Sequence, residues 1–327
     1  MVTEPAPFRI VFFGTPDFAV PTLEALLESR HSLVGVVTQP DRARGRGHKS
    51  QPGAVKRVAQ QHGRTILQPE RLRDEGFLES LRSLNADLGV VAAYGRILTD
   101  ALLQIPRFGL INVHASLLPK YRGAAPIHRA VMAGEVETGV TIMRVVKALD
   151  AGPMIAKVAR AIDPIETSAD VEHDLARLGG KALVEAVDAI ARGAATETPQ
   201  DDAQATYAPK IEKADGIIQW SRPAAQIHNQ IRGLHPWPHA FSDLDGARTI
   251  LLKSEVAQDA PDAPEAEAAP GTILEAHGDR FRVQTGDGAL RVLLLQREGR
   301  RPMTPREFLA GHRMQAGARF LPSDSTP

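Results

Sequence analysis

Asn112 and His114 lie two residues apart at the start of the run Asn-Val-His-Ala-Ser-Leu-Leu-Pro-Lys-Tyr-Arg-Gly-Ala-Ala-Pro, residues 112–126. A side-chain amide and an imidazole on one face can hold and polarise a carbonyl oxygen, which is half of acyl-transfer chemistry. The apolar stretch 108–113, rich in branched residues and ending at a Pro- and Gly-bearing loop, predicts a buried strand. Residues two apart on a strand share a face, so Asn112 and His114 project together. They sit at the strand's carboxyl end, where open α/β sheets place ligands. A histidine alone is more often a core residue with a satisfied ring; the company of Asn112 and the loop favours function. An imidazole is commonly oriented or charged by a carboxylate. Asp150, in the turn 147–153 beside Gly152 and Pro153, is the candidate, and its alternative is a plain turn aspartate.

These residues need a scaffold, and the first two hundred positions supply one. Apolar strand-like runs at 8–13, 32–38, 65–68, 87–93, 109–113, 138–146 and 154–162 alternate with helix-like segments. The helices are expected at 21–28, 53–61, 74–84 and 168–192. Such alternation predicts an α/β fold with a mostly parallel sheet covered by helices. After residue 192 the texture changes. Residues 193–210 are small, polar and Pro-bearing and read as a linker. Short runs at 249–256, 271–274, 280–285 and 290–295 then predict a small β-barrel. The expected organisation is a catalytic domain over 1–192, a linker over 193–210 and a barrel domain over 211–327. The segment 259–270 holds only Ala, Pro, Asp and Glu and is expected to be a surface loop.

Bulk composition narrows the chemistry. A chain of 327 residues suggests two domains. With no cysteine there are no disulfides, thiolate nucleophiles or Cys-based zinc sites, which fits a reducing cytoplasm. The first residues lack the basic and apolar regions of a signal peptide, and no apolar run could span a bilayer, so no membrane partner is expected. Formal net charge is zero, so a polyanion would have to meet a local patch. Two patches qualify. Residues 40–57 carry Arg42, Arg44, Arg46, Lys49, Lys56 and Arg57 against Asp41 alone, and 271–319 carry nine arginines against five acids. The first patch lies in a Gly-bearing loop able to follow a phosphate backbone without reading bases.

Two tempting motifs fail. After the first strand the chain reads Gly14-Thr-Pro-Asp-Phe18, without the later glycines of a dinucleotide fingerprint, so a nicotinamide cofactor is not expected. His235-Pro-Trp-Pro-His239 spaces two histidines by four, but the prolines exclude the helix that would align them on a metal. It reads as a rigid turn, with Trp237 packed rather than stacked on a base.

With these residues assembled, the chain resembles the methionyl-tRNA formyltransferase family. The resemblance rests on 13–21 (Phe-Gly-Thr-Pro-Asp-Phe-Ala-Val-Pro), 39–42 with 45–47, 112–119, 121–127, 149–154 and 233–238, and it runs from near residue 8 to near residue 320. The Asn–His–Ser-Leu-Leu-Pro core is shared by the wider group of formyltransferases that use 10-formyltetrahydrofolate. The Gly-Thr-Pro-Asp-Phe start and the basic loop are more particular to the tRNA enzymes. The resemblance implies a Rossmann-like formyltransferase domain followed by an OB-like barrel that helps hold tRNA. It implies Asn112, His114 and Asp150 as the catalytic group. It implies a folate site at Ser116, Leu117, Leu118 and Pro119, with Val91 and Tyr94 lining the pterin pocket. It implies tRNA contacts at Arg42, Arg44, Arg46 and Lys49. The 259–270 segment is longer and more acidic than the family pattern and is expected to make no tRNA contact.

The implied reaction moves the formyl group of 10-formyltetrahydrofolate, a co-substrate, onto the α-amine of methionyl initiator tRNA. The Asn112 amide and protonated His114 would donate to the oxyanion, and Asp150 would favour the charged imidazole. No metal is needed, and a monomer working in the cytoplasm is expected. Two rivals stand beside it. A formyltransferase for a small amine, such as an amino sugar nucleotide or purine precursor, has no use for the basic loop. A non-catalytic RNA-binding protein has no use for Asn112, His114 and Asp150.

Overall fold

The computed structural model describes residues 6–43, 50–257 and 268–321, which form two compact units. The first comprises Met1–Pro126, Glu137–Arg160 and Glu172–Ala208, and the second Ile127–Val136, Ala161–Val171 and Pro209–Pro327.

The chain begins with β1 (Arg9–Gly14), α1 (Val20–Glu28), β2 (Ser32–Val37) and the short pair β3 (Arg42–Ala43) and β4 (Ser50–Gln51). It continues through α2 (Ala54–Gln61), β5 (Ile66–Leu67), α3 (Glu75–Ser83), β6 (Leu88–Ala92), α4 (Asp100–Leu103) and β7 (Leu110–His114). There follow β8 (Arg122–Gly123), α5 (Pro126–Ala133), β9 (Glu137–Arg144), β10 (Met154–Ala161), the long α6 (Ser168–Ala191) and β11 (Tyr207–Ala208). The main sheet runs β10-β9-β7-β6-β1-β2-β5. From β5 to β7 its strands are parallel, and β9 lies antiparallel to β7. Every residue of β6, and β1 from Ile10 to Gly14, is buried, as required of strands covered on both faces. Val11 and Phe13 of β1 share one buried cluster with Phe77, Leu78 and Leu81 of α3. The Asp74 carboxylate caps α3 by accepting from Phe77 N at 3.0 Å. The expected strand at 109–113 is thus β7, held between β6 and β9.

Residues 193–208, which composition reads as a linker, are bonded along their length within this unit. Thr198 exchanges main-chain bonds with Met154, Gln200 bonds to Asp150 and Gly152, and β11 pairs in parallel with β8. Small polar residues are common to linkers and to straps that satisfy neighbouring loops, and here they do the latter.

The second unit contains α7 (Ala224–Gly233), β12 (Ala240–Leu244), β13 (Ala247–Val256), β14 (Ile273–His277), β15 (Arg280–Gln284), β16 (Ala289–Arg297), α8 (Pro305–Gly311) and β17 (Phe320–Leu321). Its sheet runs β14-β15-β16-β13-β12-β17. The final segment joins the two edges. Phe320 pairs with Leu244 on one side and donates from N to Gly271 O at 2.9 Å on the other. Ala318 O accepts from Ile273 N at 2.8 Å. These bonds tie the two ends of the sheet together and curl it into a half-barrel. Of the segment expected as an acidic loop, residues 259–267 lie outside the described residues. Trp237, expected to pack, is 50% exposed. The indole that fills the core here is Trp220, which packs on Phe320 and donates from Nε1 to Ser242 Oγ at 3.0 Å.

Phe281 is fully buried at the centre of that core, edge-on to both Phe308 and Phe320. Phe281→Ala is expected to lower the unfolding free energy of the second unit by about 3–5 kcal/mol. Urea titration followed by Trp220 fluorescence measures it.

Candidate active site

His114 is the last residue of β7 and only 5% exposed. Asn112, two residues earlier on the same strand, is half-buried, and its amide has no hydrogen-bond partner among the described residues. The register pairs Asn112 with Val91 of β6 and Met143 of β9, and His114 with Thr141 of β9. The strand therefore places both side chains at the carboxyl end of the sheet, as their spacing predicts.

Both nitrogens of the His114 ring face oxygen. Nε2 lies 3.0 Å from Tyr121 O, and a carbonyl only accepts, so Nε2 carries a proton and donates. Nδ1 lies 3.7 Å from Asp150 Oδ2, close enough for attraction and too far for a hydrogen bond. Because Nε2 is committed to the main chain, Nδ1 is the nitrogen left to address a substrate.

The two acceptors are held by strained backbone. Tyr121 and Asp150 have φ of 62° and 48°, a region that side chains rarely occupy. Tyr121 N donates to Thr206 Oγ1 at 2.9 Å, and Arg122 N to Thr206 O at 2.8 Å. Asp150 Oδ2 accepts from Gly123 N at 2.8 Å, which aims the carboxylate back toward His114. Gly152, two residues on, is a glycine because any Cβ there would run into Arg144 O. These contacts join Asp150 to His114 across 36 residues of sequence, so the structure brings together the two residues that spacing could not connect.

Within the run 116–119 the side chains of Ser116 and Leu118 turn inward. Ser116 is 1% exposed, and its hydroxyl donates to Lys120 O at 2.6 Å. Leu118 is fully buried against Met143 and Met154, and its N donates to Thr141 Oγ1 at 3.1 Å. These two side chains hold the loop in place. Leu117 and Pro119 are half-buried. Val91 is 9% exposed. Tyr94 is turned into the core, edge-on to Phe13, and its carbonyl accepts from the Gln39 amide at 2.8 Å. Its hydroxyl has no partner among the described residues, and burial pushes its pKa up.

The basic loop is rooted at the same end of β2. Asp41 accepts from Lys56 and, at 2.9 Å, from Gln68 Nε2, which also donates to Gln39 O. The hydrogen bond from Lys56, joined by that from Gln68, holds the Asp41 carboxyl below its ordinary pKa. Lys56 thus serves as an internal counter-ion, and the basic zone begins beyond it. Arg42 lies on β3, whose backbone pairs with β4, Arg42 opposite Gln51. Arg44, Arg46 and Lys49 lie outside the described residues. Four of the nine arginines of the second basic zone are compensated. Arg280, Arg291, Arg301 and Arg306 each meet a carboxylate, from Glu275, Glu255, Glu307 and Asp279 respectively. Among the described residues no group of three His, Asp or Glu side chains could hold a metal ion, and no helix is long and apolar enough to cross a membrane.

Residue types and spacing gave no sign of Arg122, Gln200 and Thr206. Each is an ordinary polar residue in a loop or an apparent linker, and only their mutual bonds reveal them.

A formyl transferase family model matches residues 8–187, and a formyl transferase C-terminal domain model matches residues 210–313. The methionyl-tRNA formyltransferase of Citrifermentans bemidjiense is 46% identical over 318 residues, covering 97% of this chain and 98% of that protein. That of Pseudomonas paraeruginosa is 46% identical over 310 residues, covering 95% and 98%. Among solved structures, an N-formyltransferase from Helicobacter canadensis in complex with folinic acid and dTDP-3-aminofucose superposes with a TM-score of 0.67 at 20% identity, covering 89% of this chain and 99% of that one. At that identity the likeness concerns the fold, whereas the first two matches extend over almost every residue. The chain therefore belongs to the methionyl-tRNA formyltransferase family.

Proposed function

We infer that this chain transfers a formyl group from 10-formyltetrahydrofolate to the α-amine of methionyl initiator tRNA. The observation that carries the reading is the pairing of His114 with Asp150 beside the unpartnered Asn112 amide, in a chain similar to enzymes of that name over nearly its full length. The residues suit a folate donor. The free Asn112 amide is an unused hydrogen-bond donor at the carboxyl end of the sheet, and the 116–119 loop beside it is locked from behind. When bound, the folate supplies an activated formyl group on its N10.

The chain's own groups then have distinct roles. Asn112 Nδ2 donates to the formyl oxygen as negative charge builds there. His114 addresses the same region through Nδ1 while Tyr121 O fixes the ring through Nε2. As the amine nitrogen bonds to the formyl carbon, Asp150 accepts a proton from it and returns that proton through water to N10, whose bond to the carbon breaks to release tetrahydrofolate. Main chain around residues 116–119 and 91–94, with Leu117 and Pro119, lines the donor site. Arg42, Arg44, Arg46 and Lys49 grip phosphates of the tRNA, supported from below by the Asp41–Lys56–Gln68 anchor. In this reading residues 1–192 do the chemistry and 211–327 help hold tRNA. In this reading the enzyme is a cytoplasmic monomer.

The direct test offers 10-formyltetrahydrofolate with charged initiator tRNA, and separately with small amines. Formylation of the tRNA is expected; formylation of a small amine alone would replace the acceptor. Asn112→Ala is expected to lower turnover by about 10²–10³ with tRNA affinity unchanged. Turnover near the parent value would remove Asn112 from the mechanism. Replacing Arg42, Arg44 and Arg46 together with alanine is expected to weaken tRNA use. It should also flatten the plot of log affinity against log salt by about 0.7–0.9 per lost phosphate contact. An unchanged slope would take the loop out of tRNA binding.

A further inference from the structure

Gln200 occupies a position that none of the preceding roles explains. Its Oε1 accepts from Arg122 Nε at 3.0 Å and Arg122 Nη2 at 2.8 Å. Its Nε2 donates to Asp150 O and to Gly152 O, both at 2.8 Å. Every hydrogen-bonding capacity of the amide is used, and only one orientation allows it. A flipped amide would set its NH2 against a guanidinium and its oxygen against two carbonyls.

The two partners of Gln200 belong to the two supports of the catalytic pair. Arg122 is 3% exposed and completes its fork on Asp202 at 2.7 Å. It directly follows Tyr121, whose carbonyl holds His114, and precedes Gly123, whose N–H holds the Asp150 carboxylate. Asp150 itself sits at a φ of 48°, a conformation that reverts unless its surroundings over-determine it. Gly123 N restrains Asp150 by its side chain, and Gln200 restrains it by its main chain.

We propose that Gln200 is a positioning residue for the formyl transfer. It clamps the 150–152 turn to the Arg122 loop and so sets the placement of Asp150 against His114. It acts through those residues and has no contact with substrate. The proposal rests on the formyltransferase reading above, which supplies the assay.

Two replacements of similar length separate its two halves. Gln200→Glu keeps both acceptor bonds to Arg122, now charge-assisted, and loses both donor bonds to the 150–152 carbonyls. Gln200→Met loses all four. If the clamp on Asp150 is what matters, kcat falls by about 10–100-fold in both variants while KM for tRNA and for folate stays within about threefold. A Glu variant with parent kcat overturns the proposal, because Arg122 pairing alone would then suffice. A rise in either KM with kcat retained overturns it as well. A measurement on the parent protein needs no variant: with 15N-labelled glutamine, both Gln200 side-chain amide protons should exchange with solvent at least about tenfold more slowly than those of exposed glutamines. Exchange at the free rate would also overturn the clamp. Failure of the parent chain to formylate methionyl-tRNA would instead end the functional reading, so the two failures are distinguishable.

Discussion

A histidine meant to act on a substrate must have its ring fixed without using up the nitrogen that acts. Here the main chain solves the problem. Tyr121 O takes the Nε2 proton at 3.0 Å, and Nδ1 is left facing Asp150 at 3.7 Å. A carbonyl can be turned onto the ring only if the chain at Tyr121 adopts a left-handed conformation, and the carboxylate reaches its place only if Asp150 does the same. Each such residue costs about 1–3 kcal/mol and persists only when its neighbours leave no alternative. Much of the surrounding structure has that task. Leu118 is buried under the loop, Thr206 accepts from Tyr121 N, and Gly123 N holds the Asp150 carboxylate.

The same constraint explains why the strap at 198–208 is ordered. A free connection between units would leave the 121–123 and 150–152 turns with unsatisfied carbonyls and a buried, unpaired Arg122. Removing one partner from such a charge costs several kcal/mol, more than the net value of the pair. Gln200, Asp202, Thr206 and the short β8–β11 pairing satisfy those groups together. Charge in the two basic zones is likewise sorted by geometry. Lys56 is spent on Asp41 at the root of the loop, and four arginines of the barrel are spent on acids of their own unit. Exposed pairs of this kind contribute little stability. By residue count the glycine-bearing loop, with six basic residues against one acid, has a larger positive excess than the barrel zone, with nine against five.

Much of the fold was legible in residue order. The alternating runs located the parallel strands because a strand covered on both faces must be apolar, as β6 and β1 from Ile10 onward are. Asn112 and His114 were legible because a period of two places them on one face whatever the tertiary context. The barrel was legible through β13 to β16. Strands β12 and β17 escaped notice: β12 mixes Ser and Asp among its apolar residues, and β17 has only two residues. Trp237 was misjudged because a tryptophan's burial depends on whether another ring, here Trp220, already fills the core.

The sequence by itself determined the strand order of chemistry along the chain, the absence of thiol chemistry, the basic loop and the Asn–His pair. These follow from local periodicity and residue type. The tertiary structure alone decided which nitrogen of His114 is free, that Asp150 is its neighbour, and that Ser116 and Leu118 brace the loop from within. It also decided that Gln200 and Arg122 hold the two turns together. Each of those facts depends on contacts between segments dozens of residues apart, where a polar side chain in a bonded strap and one in a solvated linker have the same identity and differ only in what stands opposite.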